Sequence, residues 1–267
     1  MVVTTLLSFT VHEIVYFGRF LPFYLCDFIP SLRKYKIQGT KENSPDLLMK
    51  CLRSLFISHV FVQLPMQCLF HPTAEYFGMK ITEVPFPSWS TMLYEVFLFL
   101  VFEDFYQYWF HRFLHYGPLY KHIHKIHHEF SAPFGITAEY AHPLETLILG
   151  LGTIGGPLLY VAYTGELHII TVFFWLIVRL FQTVDAHSGY DFPWNLRHFL
   201  PFWAGADFHD HHHMVFLGNY ASSFRIWDYI CGTDTRYRKW KEQQRLKQDK
   251  MRTADDADAA ATSLKEE

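Results

Sequence analysis

Two histidine clusters lie close together near the middle of the chain: His111-Arg-Phe-Leu-His115 and, after a short break, His124-Lys-Ile-His127-His128. The first group has an i, i+4 spacing, which places its two histidines on one face of a helix. The second has an i, i+3, i+4 spacing and predicts the same shared face. Gly117-Pro118 predicts a break between them, because glycine favours non-helical dihedrals and proline lacks a backbone donor. The sequence therefore predicts two short helices that each present a cluster of nitrogen ligands.

A third histidine cluster lies far along the chain and reads His209-Asp-His211-His212-His213. Its first, fourth and fifth residues repeat the i, i+3, i+4 spacing. Neutral imidazole binds zinc, copper, iron and nickel, so the spacing indicates a transition-metal site without naming the metal. A catalytic zinc ion usually takes three protein ligands and a structural one four. The three clusters hold eight histidines at these spacings, with His211 left out, and therefore indicate two metal ions. Histidine tracts that bind metal adventitiously are contiguous and low in complexity, unlike these clusters.

The composition indicates a membrane protein. Of 267 residues, 50% are hydrophobic, 19% are aromatic and 18% are charged, below the roughly 25% charged residues of a typical soluble domain. The net charge of −3, with neutral histidines, gives no basic surface that would indicate binding to nucleic acid. The cysteines form no CxxC pair, so we expect buried thiols rather than a disulfide framework or a zinc finger. They are Cys26, Cys51, Cys68 and Cys231.

Five apolar stretches are candidate membrane helices, since a span requires about 20 residues. They are residues 2–29, 51–70, 88–110, 144–163 and 167–184. The first is imperfect because it carries charged side chains such as Arg19 and Asp27. Only Thr164-Gly-Glu separates the last two, which predicts an antiparallel hairpin. We therefore expect an all-α integral membrane protein with four to five membrane helices and a cytosolic helical cap that holds a histidine-rich di-metal site.

The placement of positive residues predicts how the chain is oriented in the membrane, and the apolar stretches predict how it divides into parts. Arg33, Lys34 and Lys36 follow the first apolar stretch, and positive residues beside a membrane helix favour the cytosol. Counting the crossings places this loop and all three histidine clusters on the cytosolic side. The predicted parts are N-terminal membrane helices and loops in 1–87, a catalytic domain in 88–235, and a charged, disordered tail in 236–267.

Asp104 precedes His111 by seven residues and therefore lies near the same stripe of the predicted helix. A carboxylate in an apolar helix is costly and normally has a partner. One interpretation is that Asp104 orients a ligand imidazole through its free N–H group. The other is that it lines a water-filled cavity.

The remaining histidines carry weaker signals. His187 follows the last apolar stretch on the cytosolic side, and we expect it to complete the metal site. His142 starts a span, where a ligand and a structural role are both compatible with the sequence. His122 and His211 lie beside ligand faces and are interpreted as spacers. Those without clustered partners are interpreted as structural: His12, His59, His71, His168 and His198.

Gly150-Leu-Gly152-Thr-Ile-Gly155 fits the GxGxxG pattern of dinucleotide-binding proteins. That fingerprint requires a preceding strand and the start of a helix, whereas these glycines lie within an apolar stretch. We interpret them as small residues that allow helices to pack closely.

The three clusters resemble those of the membrane fatty acid hydroxylase and sterol desaturase superfamily, whose signature is three histidine boxes around a di-iron centre. The sequence between the boxes resembles the C4-methylsterol monooxygenase family more specifically, from residue 11 to about residue 240. The segments that carry this resemblance are Lys125–Gly135, Ala138–Thr146, His187–Tyr190, Gly218–Ser222, Trp227-Asp228 and Gly232–Asp234.

The resemblance implies an iron-dependent oxidoreductase of sterol biosynthesis with two iron ions. Such enzymes oxidise the 4α-methyl group of 4,4-dimethyl and 4-methyl sterols stepwise to the alcohol, the aldehyde and the carboxylate. Carried over position by position, the implied ligands are His111, His115, His124, His127, His128, His209, His212 and His213, with His187 as a further ligand.

The resemblance also implies partners and a location. Electrons would come from NAD(P)H through a reductase and cytochrome b5 or a similar carrier, which agrees with the absence of a nicotinamide or flavin motif in the sequence. The sterol would enter from the lipid bilayer, and a sterol C4-decarboxylase and a ketoreductase would act on its product. The implied location is the endoplasmic reticulum membrane, with several spans and the active site facing the cytosol.

Three other functions remain open at this stage. A metal transporter would place ligand residues within its spans to form a path, whereas the clusters here lie at the ends of spans. A bis-histidine haem protein would carry single histidines on two facing helices rather than paired boxes. Another membrane di-iron lipid hydroxylase or a sterol desaturase would share the boxes, because the boxes alone do not select a substrate.

Overall fold

The computed structural model describes residues 2–41 and 44–263, and helices dominate these residues. The α-helices are, in chain order, α1 (Val2–Cys26), α2 (Pro30–Arg33), α3 (Pro45–Ser58), α4 (Leu64–Tyr76), α5 (Trp89–Leu114), α6 (Gly117–Leu119), α7 (Pro143–Thr164), α8 (Ile169–Ala186), α9 (Gly205–Val215), α10 (Ile226–Cys231) and α11 (Thr235–Ser263). Two short strands, β1 (Met79–Lys80) and β2 (Leu167–His168), pair in parallel. The predicted helical class is therefore confirmed, with this pair of strands as an addition.

Three stretches are long and apolar enough to cross a membrane: Pro45–Tyr76, Pro143–Thr164 and Ile169–Ala186. They correspond to three of the five predicted spans. The other two predicted spans also form long helices, α1 and α5, but these do not reach the same mean hydropathy. The number of helices that cross the membrane therefore stays a prediction.

The stretch Pro45–Tyr76 is continuous, but it is not a regular α-helix throughout. A π-helical turn, His59–Gln63, joins α3 to α4. Pro65 lies two residues after this turn and has no N–H group for the regular ladder, which accounts for the wider turn at this place. His59 begins this turn, and its side chain is 2% exposed.

Helices α5 and α7 pack closely through glycines of α7. A Cβ atom on Gly152 would lie 2.5 Å from Cδ1 of Tyr106, and one on Gly156 would lie 3.4 Å from Cα of Phe99. Helix backbones can approach this closely only where a side chain is missing. The prediction that the GxGxxG stretch serves helix packing is therefore confirmed.

The two apolar helices α7 and α8 follow each other directly, as predicted. Helix α7 ends at Gly165, whose φ of +68° is a left-handed conformation that glycine adopts at low cost. Beyond the turn, α7 packs mainly on α5, whereas α8 packs mainly on α1. A hydrogen bond of 2.9 Å from Nε1 of Trp175 to the carbonyl oxygen of Thr153 joins the pair.

The buried apolar side chains form two main clusters. One lies between α1, α3, α8 and the loop at residues 130–140, with Tyr16, Leu55 and Ile136 at its centre. The other lies between α4, α5, α7 and α8 and contains Phe99 and Trp175. Together they fix the helices whose ends carry the histidines.

Two predictions of local structure were wrong. The second histidine cluster is not on one α-helix, because a π-helical turn, Tyr120–His124, is followed by a 3₁₀ turn, His127–Glu129. The tail predicted to be disordered forms α11, up to the last described residue. Its first turn is anchored by Tyr237, whose hydroxyl group donates to Oδ2 of Asp207 at 2.6 Å. The composition of the tail indicated solvation, but not this buried anchor.

Candidate metal centre

Nine histidines lie in two groups whose ligand nitrogens are within 4.8 Å of one another in each group. Site A consists of His111, His115, His124, His128 and His212. Site B consists of His127, His187, His209 and His213. All nine residues were identified from the sequence as candidate ligands, and the structure brings all nine together.

The first and third clusters reach the sites from ordinary helices. His111 lies in the last turn of α5 and His115 caps its end, so the i, i+4 spacing puts both on the side of site A. Helix α9 contributes to both sites: His212 faces site A, while His209 and His213 face site B. The Nε2 atoms of His209 and His213 are 3.1 Å apart, as the i, i+4 spacing predicts.

The second cluster is wound irregularly and is divided between the two sites. The amide N–H of Lys125 donates to the carbonyl oxygen of Tyr120 at 2.8 Å, which is the i to i+5 bond of a π turn. The 3₁₀ turn that follows then separates neighbouring residues, with His127 facing site B and His128 facing site A. The regular helix α9 divides its own i, i+3, i+4 cluster between the two sites in the same way.

Backbone carbonyl groups accept hydrogen bonds from four of these nine rings. The Nδ1–H groups of four histidines donate to carbonyl oxygens at 2.6–2.9 Å: His111 to Tyr220, His127 to Tyr140, His187 to Thr183 and His212 to Gly218. A carbonyl oxygen only accepts, so the proton of each neutral ring is on Nδ1. The Nε2 atom of each ring is therefore a free ligand with its lone pair in the site.

The unprotonated Nε2 atoms of different rings lie closer together than two facing lone pairs would without a cation between them. Nε2 of His127 lies 3.3 Å from Nε2 of His187, although both rings carry their proton on Nδ1. Nε2 of His111 is likewise 3.1 Å from Nε2 of His124. Two facing lone pairs repel unless a cation lies between them, so the donor set of each site fits a metal ion.

Burial keeps the imidazoles neutral, as metal ligands must be. It lowers the pKa of His127 to about 4. Burial, followed by the neighbouring imidazoles, also holds the pKa of His187, His209 and His213 well below the usual value. Neutral imidazole is the form that binds transition metals, so the site needs no deprotonation before it takes a metal ion.

The structure corrects the orienting role expected for Asp104. Oδ1 of Asp104 accepts hydrogen bonds from the backbone N–H groups of Ser223 and Phe224, both at 2.8 Å, rather than from an imidazole. The spacing from His111 correctly predicted that Asp104 lies on the buried side of α5. The loop after α9, rather than an imidazole, supplies the hydrogen-bond donors for its carboxylate. Asp104 therefore anchors a loop.

The orienting carboxylate is Glu145, which the sequence argument did not identify. Its Oε1 atom accepts a hydrogen bond from Nδ1 of His124 at 2.7 Å, and its side chain is 2% exposed. A carboxylate at the start of an apolar helix was the available signal, because such a group normally has a partner.

The other histidines occupy different positions. Nδ1 of His142 accepts from the amide of Leu144 and caps α7, which answers the question left open for that residue. His122 is exposed, and the ring of His211 packs 5.2 Å from that of Trp240, so both lie outside the two sites. His12 and His59 were interpreted as isolated, which is wrong: they lie together with Glu139 in a third group.

A cavity of about 240 Å³ connects the metal centre with the space between α1, α4, α5, α7 and α8. Histidines of both sites line it, among them His111, His124, His127, His187 and His209. The rest of its wall includes apolar side chains such as Leu149, Ile154, Val172, Trp175 and Leu176. The arrangement can therefore hold an apolar molecule beside two metal ions.

Comparison with known proteins agrees with this geometry. The model of the fatty acid hydroxylase family matches residues 96–233. Methylsterol monooxygenase erg25B of Aspergillus fumigatus is 56% identical over 231 residues, which cover 86% of this chain and 78% of the relative. C-4 methylsterol oxidase erg25 of Schizosaccharomyces pombe is 48% identical, with 91% and 81% of the two chains covered.

A vertebrate relative shows the same likeness. Methylsterol monooxygenase 1 of Gallus gallus is 45% identical over 92% of this chain and 81% of its own length. No solved structure matches the chain. The chain belongs to the fatty acid hydroxylase family, and its curated relatives with the name methylsterol monooxygenase resemble it over most of its length.

Proposed function

We propose that this protein is a C4-methylsterol monooxygenase that uses two iron ions and dioxygen to oxidise the 4α-methyl group of 4,4-dimethyl and 4-methyl sterols to the carboxylate. The observation that carries the proposal is the pair of converging imidazole groups beside an apolar cavity. The names of the relatives supply the substrate class, and they favour it over the other lipid hydroxylases and sterol desaturases of the same family.

Two iron ions fit the donor sets. His111, His115, His124, His128 and His212 would hold one ion, and His127, His187, His209 and His213 the other. Bound iron would supply the activation of dioxygen that breaking the C–H bond of an unactivated methyl group requires. All nine proposed ligands are neutral donors, so the charge of the ions is not cancelled within the ligand set.

The chain's own residues position the substrate and exclude water. The apolar wall built by α7 and α8, with Ile154, Trp175 and Leu176, offers a surface for a rigid, flat hydrocarbon. The same wall keeps water from the methyl group, which limits side reactions during three successive oxidations. Glu145 and the carbonyl oxygens behind the rings keep the imidazoles oriented during each turnover.

Electron supply and location complete the proposal. The electrons come from NAD(P)H through a reductase and cytochrome b5 or a similar carrier. Exposed basic residues of α11, Arg236, Arg238 and Lys239, offer a surface for an acidic carrier. Tyr237 and Lys241 link this helix to Asp207 on α9, which carries ligands of both sites.

The protein would span the endoplasmic reticulum membrane several times, with 88–235 as the catalytic domain and the metal centre on the cytosolic side. The sterol would enter from the bilayer. A sterol C4-decarboxylase and a ketoreductase would consume the carboxylate. The positive charge near Arg33 and Lys34 supports this orientation, in which α5 crosses the membrane together with the three apolar helices.

The test is sterol profiling in cells that lack their own C4-methylsterol oxidase. We expect the wild-type chain to clear the accumulated 4,4-dimethyl sterols, and His127→Ala to fail. His122→Ala, which alters an exposed histidine outside both sites, is the matched control and should act as wild type does. Persistence of the sterols with an expressed, iron-loaded wild-type protein would refute the substrate class.

A further inference from the structure

A third group of metal-ligating side chains lies in the wall of the same cavity. It joins His12 of α1, His59 at the start of the π turn, and Glu139 at the end of a 3₁₀ turn, Gly135–Glu139. Nε2 of His12 is 3.2 Å from Oε1 of Glu139, and Nε2 of His59 is 2.9 Å from Oε2 of the same carboxylate. Three segments that are far apart in the sequence therefore bring two imidazoles and one carboxylate together at one point.

Glu13 holds both imidazoles of this group from behind. Its Oε1 atom accepts from Nδ1 of His12 at 3.0 Å and from Nδ1 of His59 at 2.8 Å. Metal-ligating histidines commonly donate their second ring N–H to a carboxylate in this way. With a metal ion bound, each ring would keep its proton on Nδ1 and direct the lone pair of Nε2 to the ion, in place of the hydrogen bond from His12 to Glu139.

His59 supplies an independent sign that something is missing between these groups. Its Nε2 atom is buried and has no hydrogen-bond partner, although Oε2 of Glu139 is 2.9 Å away, because the direction of the contact does not suit a hydrogen bond. The residue is 2% exposed, so bulk solvent does not reach this nitrogen. A buried polar atom without a partner costs about 1–3 kcal/mol, and such atoms are uncommon in folded proteins.

We propose that His12, His59 and Glu139 form a third metal site, site C, for one divalent transition-metal ion of the zinc or ferrous class. Two imidazoles and one carboxylate are a ligand set that both ions accept. The charges also balance, because a divalent cation offsets the carboxylates of Glu139 and Glu13 when both rings are neutral. This balance is required in an apolar surrounding, where an uncompensated charge is expensive.

Site C ties together three parts of the cavity wall. His12 and Glu139 both line the cavity. Next to Glu139, the carbonyl oxygen of Tyr140 accepts the hydrogen bond from Nδ1 of His127 in site B. A metal ion at site C therefore fixes the segment that orients a ligand of the di-metal centre. It does so as a structural ion, and the proposal does not depend on the identity of the substrate.

The experiment is a zinc count on the purified full-length protein. The protein is stripped with a chelator, reloaded with excess Zn²⁺ and desalted, and zinc per chain is measured by mass spectrometry. We expect one more zinc ion per chain in the wild type than in His59→Gln. The matched control is His71→Gln, which alters another buried histidine of the same apolar helix stretch and should keep the wild-type count.

Glu13→Gln provides a second test that leaves all three ligands in place. We expect it to weaken the binding of one zinc ion about 10- to 100-fold in a chelator titration, since it removes the charge behind both rings. This variant decides the matter if His59→Gln does not yield folded protein. His127→Ala should lose zinc from site B and retain the ion of site C, which separates this inference from the di-metal centre.

Equal zinc counts in the wild type and His59→Gln would overturn the proposal. So would a Glu13→Gln protein that binds all its zinc as tightly as the wild type. Either result would show that the group is a closed ring of ion pairs, in which both imidazoles are protonated between the two carboxylates.

Discussion

Oε1 of Glu145 accepts a hydrogen bond of 2.7 Å from Nδ1 of His124, and both side chains are buried. The contact connects the first turn of α7 with the second histidine cluster, 21 residues earlier in the chain. It leaves Nε2 of His124 directed into site A. The orientation of this ligand is therefore set by a carboxylate from another helix.

Replacing Glu145 should weaken site A selectively. We expect Glu145→Ala to lower the metal affinity of site A about 10- to 100-fold, because His124 loses the group that fixes its tautomer and ring orientation. A chelator titration followed by metal analysis measures the loss. Glu166→Ala removes an exposed carboxylate that pairs with Lys80 and should bind metal as the wild type does. If Glu145→Ala also matched the wild type, the carboxylate would not orient the ligand.

Two variants on one helix should separate the sites. His212→Ala removes a ligand of site A, and His209→Ala removes one of site B. We expect each protein to retain one metal ion fewer than the wild type and both to lose sterol oxidation, because each site supplies a required metal ion. Metal content and turnover are measured on the same samples. His211→Phe, which keeps an aromatic ring beside Trp240, should retain the metal ions of sites A and B; metal loss in this control would invalidate the assignment.

Asp104 should affect folding rather than metal binding. We expect Asp104→Asn to keep its metal ions, because an amide oxygen still accepts from the backbone N–H groups of Ser223 and Phe224. Asp104→Ala leaves both amides without this partner and should cost about 1–3 kcal/mol of stability. Thermal unfolding and metal content distinguish the two effects. Metal loss in Asp104→Asn at unchanged stability would restore the orienting role.

The close approach of α5 and α7 can be tested with a pair of glycine variants. In Gly152→Ala, the new Cβ atom would lie 2.5 Å from the ring of Tyr106, and we expect a loss of about 1–3 kcal/mol. Gly18→Ala places a Cβ in open space on α1, so helix propensity should make it neutral or stabilising by up to about 1 kcal/mol. Thermal unfolding compares the two. Equal melting temperatures would show that α5 and α7 can move apart at Gly152 without loss of stability, which would contradict the prediction.

The sequence identified the candidate ligands, but it did not show which of them belong to site A and which to site B. Local spacing correctly placed His111 and His115 on one face, because α5 is a regular helix up to Leu114. It gave the wrong local structure for the second cluster, which forms π and 3₁₀ turns. It also did not show that an i, i+3, i+4 cluster serves two sites, as happens even on the regular helix α9. The division of the nine histidines between two sites therefore needed the structure.

Partners that are far apart in the sequence could not be identified from spacing. His12 and Glu139 are 127 residues apart, and His59 and Glu13 are 46 apart, so neither histidine shows a cluster in the printed sequence. Asp104 was placed on the correct side of its helix, but its partners come from a loop after α9. In each of these cases the packing of helices decided the contact.

His127 and His128 are consecutive residues, yet they face different sites. Their Cα atoms are joined through a single peptide unit and are therefore held about 3.8 Å apart whatever the rest of the protein does. Ions held in the two sites would therefore be connected through one peptide unit between neighbouring ligands. A shift of the backbone at either ligand would move the other, so the two sites would not be mechanically independent.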